Sequence, residues 1–439
     1  MDTSCLWRAL ARNVRWATAM VERSRGAELF VDDDLSWKWP ESPSAVFLRG
    51  LFADHVARVR QIRLSGAGAA MLATLFEKLP PKSLQLRSLE LECPPENRRP
   101  VFPTEVIGSE HLHILRVEGC DGPWHTLSLP ALRHLKVYNT STRPSLNGFL
   151  DMLEALPMLA ILDLENSLPL ANNECRKRML LASLVHLGLS STVNPQEVGD
   201  VLKRVTVPPS ATLRLVAGVR PAVSAGRLCQ ILEGFVPALS SFFGRLGPDF
   251  SYGHLYLAPS GWCGFRLKAW RSDRAIFKTP DLELIIDAVI TTSIINTQDL
   301  LHKVIPSLPL SKVASVTLEQ FHARRLLNGA LNCFLHLESV KVIGETTQDF
   351  ILASLAWRSE YNDGAPALLP ALRFLSIELY SFKGAEDCTV DDLRDCLTAR
   401  SRQGARLARL TLIHCPRLLV EDVESLRQVV EVHWDGIHM

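Results

Sequence analysis

A short pattern of hydrophobic positions, apolar-x-x-apolar-x-apolar, returns along most of the chain. Clear copies are "LRSLEL" from Leu86, "LHILRV" from Leu112, "LRHLKV" from Leu132 and "LAILDL" from Leu159. Side chains of a β-strand alternate between its two faces, so the last two apolar residues of each copy share one face. The residue between them lies on the opposite face. Each copy therefore predicts a short strand with one buried side and one polar side.

The copies follow one another at a nearly constant spacing. Their closing apolar residues are Leu64, Leu91, Val117, Val137, Leu164, Leu189 and Leu215. The steps between these positions are 27, 26, 20, 27, 25 and 26 residues. Further copies are "VASVTL", "LESVKV", "LRFLSI" and "LARLTL", from positions 313, 337, 372 and 407. A period of this length is typical of leucine-rich repeats, in which stacked neighbours bury an apolar ridge that one repeat alone would expose.

Segments with helical spacing separate the strands. "PSLNGFLDMLEAL" brings its leucines and Phe149 to one helical face, and "PQEVGDVLKRV" begins at Pro195 behind Asn194, a candidate N-cap. "NTQDLLHKVIPSL", "ARRLLNGALNCFL" and "TVDDLRDCLTARS" predict further helices, and Thr389 with Asp392 resembles a capping box. This alternation predicts an α/β leucine-rich-repeat solenoid, with a parallel sheet on its concave face and helices on its convex face.

Two stretches depart from the repeat. Residues 1–57 contain no copy and predict an N-terminal helical cap, because terminal units of solenoids differ from the others. Within it, the stretch "AELFVDDDLSW" between two helices is expected to be extended. The solenoid then covers residues 58–439, with an irregular insertion near residues 242–281. A proline-rich loop is expected over residues 92–110.

Composition and charge restrict the classes of partner. The 439 residues include 48 basic and 47 acidic ones, so no overall field attracts phosphate or an anionic membrane. No apolar run reaches the ~18 residues of a membrane-spanning helix. Ten cysteines without a C-x-x-C pair favour buried, reduced thiols in an intracellular protein. We therefore expect a cytoplasmic or nuclear protein that binds neither nucleic acid nor membrane. The basic segment "LWRALARNVRWATAMV" fits a packed helix better than a mitochondrial presequence.

No motif predicts catalysis, a cofactor or a metal. "LSGAGAAM", from Leu64 to Met71, lies between a predicted strand and helix, as a dinucleotide-binding loop would. It lacks the third small residue of that motif, so a turn in the first repeat is the better interpretation and a cofactor-binding enzyme the weaker one. The histidines are isolated, and His134 and His186 occupy equivalent polar positions on their strands. We expect no catalytic residue, no cofactor and no metal site.

The polar side of the strands is the better candidate for function. The residue between the two buried positions is Arg63, Glu90, Arg116, Lys136, Asp163, Gly188 and Arg214 in successive repeats. The flanking position adds Glu118, Tyr138 and Glu165. Solenoids bind extended proteins on such a surface, and arginine and tyrosine are favoured at interfaces. The predicted partner-binding residues are Arg63, Glu90, Arg116, Lys136, Tyr138, Asp163 and Arg214. The alternative is a solvated face without a partner.

Three segments carry a resemblance to a known family. They are "LWRALARNVRWATAMVERSRGAELFV", "LRHLKVYNTSTRPSLNGFLDMLEALPMLAILDLENSLP" and "LARLTLIHCPRLLVEDVESLRQVVEVHWDG". Together they resemble the leucine-rich-repeat proteins of mushroom-forming fungi, which usually carry an F-box before the repeats. The first segment is similar to the region that follows the F-box, and the last is similar to a cysteine-type repeat with Cys415 after its strand.

The resemblance implies the recognition of a protein substrate. In that family the F-box docks onto the adaptor subunit of a cullin-RING ubiquitin ligase, while the repeats hold the substrate. The sequence contains no F-box-like L-P-x-E-I start, so we expect either that the gene has lost it or that the chain is truncated. The resemblance implies a ligase adaptor as partner only where an F-box precedes this sequence. A scaffold protein with no link to a ligase is the alternative.

Overall fold

The structure is a computed structural model in which the chain divides into two compact units. Unit 1 comprises Met1–Ser191 with Asp200–Ala211, and unit 2 comprises Thr192–Gly199 with Thr212–Met439. The described residues are 14–437 without 25, 37–38, 77–84, 95–98, 103–109, 124–127, 172–176, 224, 261–263, 272–278, 291–296, 320–333, 352–368 and 383–387. The helix predicted for "ARRLLNGALNCFL" lies almost wholly outside them.

Unit 1 is built from short parallel strands and the helices between them. Its strands are β1 (Leu29–Asp34), β2 (Val59–Ser65), β3 (Ser88–Glu92), β4 (Ile114–Glu118), β5 (His134–Tyr138), β6 (Ile161–Glu165), β7 (Met179–Leu180), β8 (His186–Ser191) and β9 (Val205–Thr206). Its helices are α1 (Val14–Arg23), α2 (Pro43–His55), α3 (Ala69–Phe76) and α4 (Leu146–Glu154), and α5 (Pro195–Arg204) is divided between the units.

The main sheet of unit 1 has the order β1-β2-β3-β4-β5-β6-β8, and every neighbouring pair in it is parallel. β7 and β9 form a separate parallel pair. The repeat pattern accounts for this arrangement: in β4, Leu115 and Val117 are fully buried, while Arg116 between them is partly exposed. The prediction of an α/β protein with a parallel sheet is confirmed here. Residues 1–57 contribute more than helices, because β1 joins the sheet beside β2.

A left-handed residue ends many of the strands. Positive φ values occur directly after a strand at Gly66, Gly119, Asn139, Asn166, Gly344, Leu379 and His414. The turned backbone N–H then donates to the next strand: Asn139 N to Glu165 O (2.7 Å) and Asn166 N to Ser190 O (2.8 Å). Asparagine tolerates this conformation better than most residues. The Asn166 Nδ2 also donates to Asn139 Oδ1 (3.0 Å), which links two successive turns.

Unit 2 contains the remaining strands. They are β10 (Thr212–Val223), β11 (His254–Ser260), β12 (Gly264–Trp270), β13 (Leu282–Ile290), β14 (Ser315–Glu319), β15 (Ser339–Ile343), β16 (Phe374–Glu378), β17 (Arg409–Ile413) and β18 (Glu431–Trp434). Its helices are α6 (Ala225–Gly244), α7 (Thr297–Val304), α8 (Thr346–Phe350), α9 (Val390–Arg402) and α10 (Val420–Arg427).

The sheet of unit 2 has the order β10-β13-β12-β11-β14-β15-β16-β17-β18, and it is not wholly parallel. β12 runs antiparallel to both β11 and β13, and this departure from the parallel arrangement falls within the irregular insertion predicted near residues 242–281. The physical reason is the short connection between Ser260 and Gly264, which allows a hairpin but no crossover to a parallel strand. β12 lies within residues 242–281, where the sequence pattern is lost.

The helix starts follow the sequence signals. Thr389 Oγ1 accepts a hydrogen bond from Asp392 N (3.2 Å), and Asp392 Oδ2 accepts one from Thr389 N (2.8 Å), so the capping box of α9 is formed. Asn194 Oδ1 accepts a hydrogen bond from Gln196 N (3.1 Å), as expected for the N-cap of α5. No helix in the described ranges combines the length and the apolar character needed to cross a membrane.

We predict that Gly66 and Gly50 respond in opposite directions to the same substitution. Gly66 has φ +69°, and an added Cβ would lie 2.6 Å from the backbone N and Cα atoms of Ser36. Gly66→Ala should therefore lower the free energy of unfolding by about 2 kcal/mol or more. Gly50 lies within α2 with no atom near the Cβ position, so Gly50→Ala should raise it by up to about 1 kcal/mol. Urea unfolding of the full chain measures both, and equal effects would contradict the prediction.

Candidate interaction surface

The strand register places the polar residues of unit 1 in two rows on one face of the sheet. The mid-strand row consists of Asp32, Arg63, Glu90, Arg116, Lys136, Asp163 and Gly188. The strand-end row consists of Asp34, Ser65, Glu92, Glu118, Tyr138, Glu165 and Ser190. Six of the seven residues predicted from the sequence lie in these rows, and they share one face because rows two residues apart on a strand point the same way.

Opposite charges alternate along part of the mid-strand row. Arg63 Nε lies 3.8 Å from Glu90 Oε2, and Arg116 Nη2 lies 3.7 Å from Glu118 Oε2 in the neighbouring row. These side chains are partly exposed, so each pair adds little stability. The first pair joins β2 to β3, and the second joins two residues of β4, so each restrains where an arginine charge lies on the face.

Tyr138 is held between a cation and a carboxylate. The guanidinium carbon of Arg116 lies 5.6 Å from the centre of the Tyr138 ring, within the range of a cation–π contact. On the other side, the Tyr138 hydroxyl donates to Asp163 Oδ2 at 2.7 Å. Burial, followed by the hydrogen bond to Asp163, raises the pKa of the Tyr138 phenol well above its ordinary value. The ring is therefore a fixed, neutral aromatic group on a charged surface.

Asp163 fills the space that Gly188 leaves open. It is only 8% exposed, and a Cβ on Gly188 would lie 2.3 Å from Asp163 Oδ1, so no other residue type fits there without displacing the carboxylate. The Oδ1 atom accepts no hydrogen bond from the described residues. A buried carboxylate oxygen without a donor is costly, and the missing side chain of Gly188 is what gives this carboxylate its room.

The strand-end row is acidic. It contains the carboxylates of Asp34, Glu92, Glu118 and Glu165 and no basic residue, whereas the mid-strand row has equal numbers of each sign. In the described ranges, neither Glu92 nor Glu165 lies within ion-pair distance of a basic side chain. The excess of negative charge is thus concentrated around Tyr138, along the carboxyl ends of the strands.

Arg214, the seventh predicted residue, lies in unit 2, where it pairs with Glu283 (Nε to Oε2, 3.7 Å). The sheet of unit 2 contains its own version of the tyrosine arrangement. Lys268 Nζ lies 5.7 Å from the centre of the Tyr256 ring, and the Tyr256 hydroxyl donates to Glu319 Oε2. Burial and then this carboxylate raise the pKa of Tyr256 to about 12. Each unit therefore fixes one tyrosine on the polar face between a cation and an acid.

Other chemistry finds little support in the part of the chain that the structure describes. It holds no group of three or more His, Cys, Asp or Glu side chains placed to bind a metal. His134 and His186 lie in the same row, separated by Ile161 on the intervening strand. Burial, with help from Lys136 and Arg133, lowers the pKa of His134. Gly66, in the candidate dinucleotide loop, packs closely against Ser36. A larger side chain would collide there, so packing explains why this position is a glycine.

The sequence revealed the mid-strand row more completely than the acidic one. Asp32 and Asp34 were missed because β1 lacks the repeat pattern, and Glu92 was missed because its strand leads into the proline-rich loop. A pattern in the sequence could have indicated these residues, because each of these strands carries a polar residue directly after its last buried position. The contact between Tyr138 and Asp163 depends on strand register and side-chain direction, so the sequence alone did not show it.

The tyrosine arrangement predicts an unusual ionisation. At pH 11 an ordinary tyrosine is about 90% ionised, whereas Tyr138 should remain largely neutral because burial and Asp163 oppose its negative charge. Asp163→Asn removes that charge, so the pKa of Tyr138 should fall. The measurement is the ultraviolet titration of the wild type minus that of Tyr138→Phe, with and without Asp163→Asn. As a control, the Tyr256 signal should not change with Asp163→Asn. Titration of Tyr138 near pH 10 in the wild type would contradict the prediction.

Comparison with known proteins adds no relative. The chain matches no model of a known protein family, and a search of curated proteins finds no significant match. The surface must therefore be interpreted from its own geometry and charge.

Proposed function

We propose that this protein is a non-catalytic interaction protein, built as a leucine-rich-repeat solenoid, which holds a protein partner on the polar face of unit 1. The observation that carries the proposal is the acidic strand-end row around Tyr138, whose ring is held by Arg116 and Asp163. A fixed aromatic ring beside fixed charges is the kind of anchor that dominates protein interfaces.

Two observations support the leucine-rich-repeat architecture. The strands β2, β3, β4, β5, β6 and β8 coincide with the sequence copies that recur about every 26 residues, and they pair in register without an intervening strand. Several of them end in the same left-handed turn, which passes a hydrogen bond to the next strand. Repetition of one supersecondary unit, each in contact with its neighbours, is the property that defines a solenoid.

The charge of the face indicates the chemistry of the partner. The strand-end row contains four carboxylates, of which Glu92 and Glu165 form no ion pair in the described ranges. A partner segment with lysine or arginine side chains that lies across the strands would neutralise them. An arginine side chain of the partner could also form a cation–π contact with Tyr138. We therefore propose an extended, basic protein segment as the ligand.

The link to a ubiquitin ligase is a further proposal, and it is supported only by the resemblance to F-box proteins. The competing function is that of a scaffold without a ligase. Genomic sequence upstream of Met1 distinguishes the two: an in-frame L-P-x-E-I segment favours the ligase subunit, and a stop codon favours the scaffold. Copurification of that longer product with the adaptor subunit of a cullin-RING ligase would then test docking directly.

The interaction proposal predicts a charge-dependent affinity. The full chain should bind a labelled lysine- and arginine-rich peptide more tightly than an acidic peptide of the same length, and added salt should weaken the binding. Reversing two charges of the strand-end row, in Glu92→Arg/Glu165→Arg, should weaken it by about tenfold or more. Fluorescence anisotropy measures both effects.

The matched control reverses two charges elsewhere in unit 1. Asp151 and Glu154 are exposed carboxylates on α4, where they pair with Lys177. Asp151→Arg/Glu154→Arg changes the net charge of the protein by the same amount but should leave the affinity almost unchanged. Equal losses in the two double variants would show nonspecific attraction and contradict the proposal, as would equal binding of the basic and acidic peptides.

A further inference from the structure

Two buried cysteines of unit 1 lie unusually close together. The Sγ atoms of Cys93 and Cys120 are 2.8 Å apart, and the two residues are 6% and 0% exposed. Non-bonded carbon atoms already rest roughly 3.5–4.0 Å apart at their energy minimum, and sulfur is larger. The two thiols are therefore in direct contact, closer than ordinary van der Waals separation.

The backbone, rather than a chance choice of rotamers, brings the two residues together. Glu92 pairs with Glu118 in the parallel register of β3 and β4, so the residues that follow lie in neighbouring turns. Cys93 N donates to Glu118 O (2.9 Å), and an added Cβ on Gly119 would lie 2.7 Å from Cys93 O. The turns are therefore in direct contact, and little chain movement is needed to join the sulfurs.

The chain closes back over this point. Asp121 N donates to Pro100 O (2.9 Å), and Phe102 N donates to Asp121 O (2.6 Å), so the segment after Cys93 returns to the turn that contains Cys120. The other described cysteines, Cys388, Cys396 and Cys415, are also buried and unbridged. Cys415 gives a direct comparison, because its sulfur lies against the carbonyl oxygens of Ile377 (3.8 Å) and Ile413 (3.6 Å).

We propose that Cys93 and Cys120 form an oxidation site, at which a hydroperoxide converts the two thiols to an intrachain disulfide. One thiolate attacks a peroxide oxygen, the O–O bond breaks, and hydroxide leaves and takes up a proton as water, which leaves a sulfenic acid. The second sulfur then attacks the sulfenic sulfur, the S–O bond breaks, and a second water leaves with the thiol proton. Two thiols lose two electrons in total, and one hydrogen peroxide is reduced to two waters.

The geometry makes formation of the sulfenic acid slow and closure of the disulfide fast. The hydrogen bond to Cys93 and burial raise the pKa of the Cys120 thiol, so little reactive thiolate exists and the first oxidation is slow. Once either sulfenic acid forms, its partner already lies in contact, and ring closure outruns further oxidation. The bridge would join the turns directly behind Glu92 and Glu118, and it would restrain the unfolded chain between positions 93 and 120.

The test is peptide mapping of the folded full-length protein after hydrogen peroxide, with acid quenching and alkylation. Trypsin places Cys93 in residues 88–98 and Cys120 in residues 117–133, with no second cysteine in either peptide. We expect the linked pair to appear, two hydrogens lighter than the sum of the peptides, and to exceed every other cysteine pair. The peptide with Cys415, residues 410–417, should remain alkylated. The oxidised protein should melt higher than the reduced one by roughly 5 °C.

Two controls make the result specific. The same oxidation in concentrated urea should give mixed pairings, because the preference comes from the fold, and Cys93→Ser should abolish the linked peptide and the melting shift. The wild-type map does not depend on the folding of that variant. Full alkylation of Cys93 and Cys120 after peroxide treatment, or their conversion to sulfinic acid without a bridge, would overturn the proposal.

Discussion

The in-register pairing of neighbouring parallel strands is the constraint on which every other feature depends. Leucines at the two inner positions of each strand hold it against the core, and a shift by one residue would turn them to solvent. Because each strand of unit 1 obeys the same rule, equivalent residues of successive repeats come to lie in straight rows. The buried leucines thus determine, indirectly, which charged side chains meet on the opposite face.

The same constraint explains why contacts recur about one repeat apart in the sequence. Tyr138 reaches Asp163, Asn139 reaches Asn166, and Cys93 reaches Cys120. In each case the partners occupy nearly the same position of adjacent repeats. Side chains that are far apart in the sequence are therefore brought into contact. The properties of the surface depend on contacts between adjacent repeats as well as on the individual residues.

The architecture could be predicted from the sequence wherever the repeat is strong. From Leu64 to Leu189 the apolar spacing located each strand of the main sheet and the mid-strand row, but not the short strand β7. β1 was missed as a strand of the sheet, because "LFVDDD" lacks the preceding leucine and its pairing comes only from contact with β2. β12 was missed as an antiparallel strand, because direction depends on the length of its connection and leaves no mark in the apolar pattern. The space above Gly188 exists only once the neighbouring strands are paired. The sequence therefore did not show that the Asp163 carboxylate fills it.

The final turn differs from the earlier ones. After β17, the backbone N–H of His414 donates to the carboxylate of Asp435 (2.7 Å), where preceding turns donate to a backbone carbonyl of the next strand. Asp435 directly follows β18, so its side chain takes the place of the backbone carbonyl that the other turns use. β18 is the edge of its sheet, and Asp435 places a negative charge at the end of this edge strand. A charge in this position disfavours pairing with a strand of another molecule.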